Sequence, residues 1–141
     1  MITVDNPVSK VYSIWSASIE KKVGKGNFSM SQSGTLASNK TKYARIFMMG
    51  NPTRDGDLEG DECSTIPAFQ VDSFAKGTKA LSEVYDIDDV SHKAMTGMGF
   101  RRTYGPELIE NADSTIKRVV SRYSRIYTGQ LLGEKVSSQV M

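Results

Sequence analysis

The chain has 141 residues, 38% hydrophobic and 24% charged, a balance that fits one globular domain with one modest core and excludes a disordered chain. Its formal net charge of +2 is too small by itself to imply a nucleic-acid or membrane partner. The single cysteine, Cys63, excludes a disulfide within the chain.

The opening MITVDNPVSKVYSIW has no basic start followed by an apolar run, and no apolar stretch is long enough to span a bilayer. The expectation is a soluble protein made in a reducing cytoplasm, with no membrane partner. Asn6-Pro7 is a helix-start signal. Val8, Val11, Tyr12, Trp15 and Ile19 then recur at helical spacing, which makes the face around Tyr12 and Trp15 core. Gly24, after Lys21 and Lys22, is the expected cap.

Residues 24–42 are rich in Gly, Ser and Asn. Gly-Lys-Gly-Asn follows a helix and lacks the Walker spacing, so the segment reads as a polar loop, with room for a short strand. YARIFMMG, residues 43–50, reads as a buried strand. Residues 51–64 form a long acidic loop, with Asp55, Asp57, Glu59, Asp61 and Glu62 inside eight residues. Its opening imitates a calcium loop. The twelfth position is Ile66, however, which cannot ligate, so the expectation is a solvated loop that makes contacts.

TIPAFQVDSFAK, residues 65–76, reads as a strand with Gln70, Asp72 and Phe74 on one face and Phe69, Val71 and Ser73 on the other. Residues 78–98 read as a helix with an apolar stripe of Leu81, Val84, Ile87, Val90, Ala94, Met95 and Met98. Glu83, Asp86, Asp88 and Asp89 near its start and His92 and Lys93 later complement the helix dipole. His92, with no ligand-spaced partner, reads as a surface or dipole histidine. Gly97 and Gly99 stop this helix, Phe100 enters the core, and residues 99–110 restart as extended chain. Residues 114–128 are ambiguous: their spacing fits a helix, and their β-branched and aromatic content fits a strand. The order of elements implies an α+β fold, a small mostly antiparallel sheet with two helices packed on it.

No nucleophile with a base, metal cluster or dinucleotide fingerprint is present; Arg102 occupies the place where GxGxxG needs its third glycine. The expectation is no enzyme, with no catalytic residue, cofactor or metal. Arg101, Arg102, Lys117, Arg118, Arg122 and Arg125 interleave with Phe100, Tyr104, Tyr123 and Tyr127. Such a mixture on a hairpin over 101–125 can hold phosphates and stack bases. It can equally meet an acidic surface on a neighbouring subunit.

Three stretches carry a resemblance to a known family: IPAFQVDSFAK before a helix, MGFRRTYGPELIE after it, and STIKRVVSRYSRIYTG at the end. They resemble the tail terminator proteins of long-tailed bacteriophages, also called tail completion or tail-to-head joining proteins. The resemblance covers residues 7–128 as an order of elements and implies a single domain over 1–128 with a polar tail over 129–141. It favours a strand at 114–128. It further implies a structural virion protein at the neck, assembled in the host cytoplasm, whose hexameric ring caps the tail tube and stops its polymerisation. The partners implied are further copies of the chain, the tube protein and a head connector or head-closure protein, with DNA passing through the ring without specific binding. Within that frame Asp55, Asp57, Glu59, Asp61 and Glu62 form one candidate contact surface. Arg101, Arg102, Arg118, Arg122 and Arg125 form the complementary one. A head-closure component is the neighbouring alternative.

Overall fold

A computed structural model of the chain describes residues 4–30, 41–56, 62–110 and 114–131. The first helix, α1, runs Val8–Val23. Asn6 accepts the Val8 N–H through its side-chain oxygen at 2.9 Å, and the carbonyl of Pro7 takes the Val11 N–H. The chain leaves at Gly24, whose φ of 97° suits a residue without a Cβ. A three-residue strand, β1 (Phe28–Met30), follows within the polar stretch, and β2 (Lys42–Gly50) runs parallel to it. Burial along β2 alternates: Ala44 and Ile46 are buried and Met49 is exposed, so this strand has one wet face and is not buried throughout.

The acidic stretch expected as a loop contains paired strands, β3 (Thr53–Gly56) and β4 (Glu62–Thr65), which form a separate two-stranded sheet. Cys63 lies in β4. The Ile66 N–H to Pro52 carbonyl bond closes the base of this hairpin, and a two-bond bridge between Thr65 and Tyr127, both bonds 2.9 Å long, ties it to the body. Strand β5 (Ala68–Lys76) is central, helix α2 (Ala80–Gly97) follows, and β6 (Arg101–Ile109) and β7 (Ile116–Ser124) complete the chain order. The main sheet has the order β1-β2-β5-β7-β6, and every pairing in it except β1–β2 is antiparallel. Within the 114–128 segment Ile116–Ser124 is therefore a strand, with Val119, Ser121 and Tyr123 on the helix side as their alternation requires.

Both helices cover the same face of this sheet. Trp15 is fully buried, its indole N–H donating to Ser91 Oγ at 3.0 Å, and it meets Phe28 edge-on at a ring separation of 6.4 Å. Val11, Ile19, Ile46, Phe69, Val71, Val84, Ile87, Met95 and Val119 complete one core. On α2 the inward stripe differs from the apolar pattern: Leu81 is half exposed, whereas Asp88 and Ser91 point inward and are buried. Both polar groups find partners there, Ser91 on Trp15 and Asp88 on Ser121 and Arg102, so the interior accepts them.

The helix end at 95–100 is a Schellman cap. Gly99 has φ 92°, its N–H reaches the Thr96 carbonyl at 3.0 Å, and the Phe100 N–H reaches the Met95 carbonyl at 3.0 Å. Gly99 alone takes the left-handed turn, while Gly97 is the last helical residue. Phe100 and Met95 both lie in the core.

Candidate interaction surface

The helices leave the second face of the sheet uncovered, and β5 sets what that face carries. Gln70, Asp72 and Phe74 alternate outward and are all buried, Asp72 completely. Flanking arginines lie over them. Arg45 on β2, whose Cα partner across the ladder is Asp72, donates Nε at 2.7 Å and Nη2 at 2.6 Å to Asp72 Oδ2. Arg118 on β7 donates Nη2 to the same oxygen at 3.1 Å. Gln70 Nε2 donates to Asp72 Oδ1 at 2.8 Å, and Gln70 Oε1 accepts Arg122 Nε at 3.0 Å.

Aromatic rings support the guanidiniums from below. Arg45 and Arg118 lie 5.1 and 5.9 Å from the Phe74 centroid, and Arg122 lies 4.8 Å from that of Tyr104. Each guanidinium is held flat by a charged or amide partner and a ring, so the face is a pre-ordered cationic surface rather than a set of swinging side chains.

A second buried carboxylate lies on the helix side. Asp88 accepts Ser121 Oγ at 2.7 Å and Arg102 Nη2 at 2.9 Å; the same Arg102 nitrogen reaches Tyr123 OH at 3.2 Å, and His92 Nδ1 lies 3.2 Å from that hydroxyl. His92 is thus half-buried in a polar network, not a free surface histidine. Burial pushes the Asp88 carboxyl above its ordinary value of 3.8, over the opposing Ser121 hydrogen bond and the Arg102 and His92 charges, while Asp89 adds to the rise. Burial, then the Asp88 charge, also raises the Tyr123 hydroxyl.

The sign of the resulting pH dependence follows. A carboxyl whose folded pKa is raised binds its proton more tightly when folded. Its contribution is complete below the unfolded value and is lost as pH rises through the folded one. The stability difference between wild type and Asp88→Asn is therefore expected to shrink as pH rises from 3.8. Urea midpoints across the acidic range measure it, and a difference that grows with pH would show that the Arg102 ion pair outweighs burial.

The five arginines read from the sequence do not share one surface. Arg102 is on the helix side with Asp88, and Arg118 is bound to Asp72. Arg122 and Arg101 are on the open face, opposite Tyr104 and Ser124 respectively. Arg125, beyond the end of β7, donates Nε to the Ile126 carbonyl at 3.0 Å and Nη1 to the Met98 carbonyl, and burial lowers its pKa. Of the acids, Asp55 lies in β3 and Glu62 in β4, while Asp57, Glu59 and Asp61 lie outside the described residues.

Arg45, Asp72 and Gln70 were the residues that sequence reasoning left without a role. A lone acid inside an apolar strand was the available signal, but its partners depend on strand register. A groove of about 500 Å3, lined by Arg54, Ile66, Arg101, Ser124, Arg125 and Ile126, opens between the base of the β3–β4 hairpin and this end of the sheet. Among the described residues no cluster of three His, Cys, Asp or Glu side chains could hold a metal ion, and no helix is long and apolar enough to cross a membrane.

No family model and no curated protein matches this chain. Among solved structures it is similar to a chain of the virion of a native gene transfer agent particle. The two share 11% identity at a TM-score of 0.55, over 87% of this chain and 92% of that one. The likeness is one of fold. It spans most of both chains.

Proposed function

We propose that this chain is a structural virion protein that closes into a ring, most economically a hexamer, on the end of a phage-type tail tube. There it stops polymerisation of the tube and joins the tail to the head connector. The observation that carries this reading is the one-sided fold: two helices cover one sheet face, and the other is an ordered layer of Arg45, Arg118 and Arg122 over Phe74 and Tyr104. A fixed, broad, charged surface suits a permanent protein contact, where ordering side chains on binding would cost affinity. The virion origin of the fold neighbour supports the same class, and the tail-terminator resemblance of the sequence supports the specific role. A head-closure component would use the same surface in the same neck.

The competing reading, a nucleic-acid module on the 101–125 hairpin, is favoured by the pairing of β6 with β7. It is weakened because Arg102 and Arg118 each spend their charge on a buried aspartate. Negative-stain microscopy and oligonucleotide binding separate the two. The virion reading expects closed rings and weak DNA binding. Monomers whose DNA affinity falls steeply as salt rises would support the module instead.

A further inference from the structure

Charge on this molecule is not evenly compensated. Asp72 pairs with Arg45 and Arg118, and Asp88 with Arg102, but among the described residues no carboxylate pairs with Arg101, Arg122 or Arg125. These three gather at one end of the sheet, where the ladder sets Arg101 opposite Ser124 and Arg122 opposite Tyr104. Two of them, with Arg54, line the groove beside the hairpin base. The same groove carries apolar surface from Ile66 and from Ile126, which is half exposed. A guest that fits must therefore bring several carboxylates and at least one aliphatic side chain.

Residues 55–62 of the chain itself, Asp-Gly-Asp-Leu-Glu-Gly-Asp-Glu, have that chemistry: five acids, one leucine and no cation. We propose that the groove receives the 55–62 segment of a second copy of this chain. Its carboxylates pair with Arg101 and Arg125, which line the groove, and with Arg122 beside it. Guanidinium–carboxylate pairs at such a contact gain from their two-pronged geometry and from the groove's partial exclusion of water. Donor and acceptor are different surfaces, so the contact is heterologous and propagates head to tail; it closes when the rotation per step divides a full turn. This inference rests on the ring reading above and names the contact that would build the ring.

The test is a charge swap on the full chain, read by mass photometry over a concentration series. Arg101 and Arg122 are the positions to reverse: both side chains are exposed, and the bond to Gln70 and the Tyr104 contact that Arg122 gives up are accounted for by the stability controls below. Arg101→Glu with Arg122→Glu should weaken self-association by at least about tenfold, and Asp57→Arg with Glu59→Arg should do the same. Mixing the two variants restores one complementary contact per pair and should recover dimers that neither forms alone. Full oligomers from the arginine variant would overturn this contact while leaving the ring reading intact. A wild-type chain that stays monomeric at every concentration would overturn both. Unchanged circular dichroism and urea midpoints in the variants separate lost contact from lost folding.

Discussion

Replacing Asp72 by alanine is expected to cost about 3–5 kcal/mol of unfolding free energy, the range for removing one member of a buried charge cluster. Asp72 is fully buried, and its Oδ2 accepts from both Arg45 and Arg118. Without it, two guanidiniums share the Phe74 ring with nothing between them, and Gln70 loses its acceptor. Repulsion and desolvation then act together, and the arginines can regain water only by leaving the sheet. The loss should appear as a lower urea midpoint. A cost under about 1 kcal/mol would mean that the guanidiniums are hydrated rather than held, and the pre-ordered face would lose its basis.

The second large effect is expected at Gly105. Its φ is +89°, and a Cβ there would lie 2.3 Å from the Val120 carbonyl oxygen and 3.0 Å from Ser121 Cα. Those are backbone atoms of the neighbouring strand, so neither can rotate away. Gly105→Ala adds left-handed strain of about 1–3 kcal/mol to overpacking of similar size, for a total of about 3 kcal/mol or more. The site lies where β6 slips register against β7 between Tyr104 and Glu107. Pushing the strands apart there also moves Ser121 away from Asp88. Chemical denaturation measures the loss, and a cost near zero would contradict the close approach of the two strands.

What the sequence disclosed depended on how local each signal was. The Asn6-Pro7 start and the Gly99 turn are short-range rules, and both appear in the fold, whereas the spacing at 114–128 leaves helix and strand open and pairing with β5 and β6 makes it β7. β1 was hidden because three residues in a polar stretch become a strand only by pairing with β2. The β3–β4 hairpin was hidden by its charge, since the Thr65–Tyr127 bridge that fixes it joins residues far apart in the chain. On α2 the apolar pattern drew Leu81 inward, whereas the true inward row runs through Asp88 and Ser91. A buried polar residue is invisible to hydrophobic periodicity, because its partners come from other elements. The same limit applies to the candidate surface. The arginines stood out as a group, but only register divides them into those bound to Asp72 or Asp88 and those without a carboxylate partner among the described residues.

The most direct test of the proposed role is the length of tail tubes assembled from the cognate tube protein with and without this chain, measured in negative-stain images. If the chain is a tube-capping ring, adding it should halt elongation and leave a six-fold ring at one end of every tube, with free rings of the same diameter in the background. Tubes that elongate unchanged and carry no terminal density, in a preparation where the chain is folded, would contradict that role.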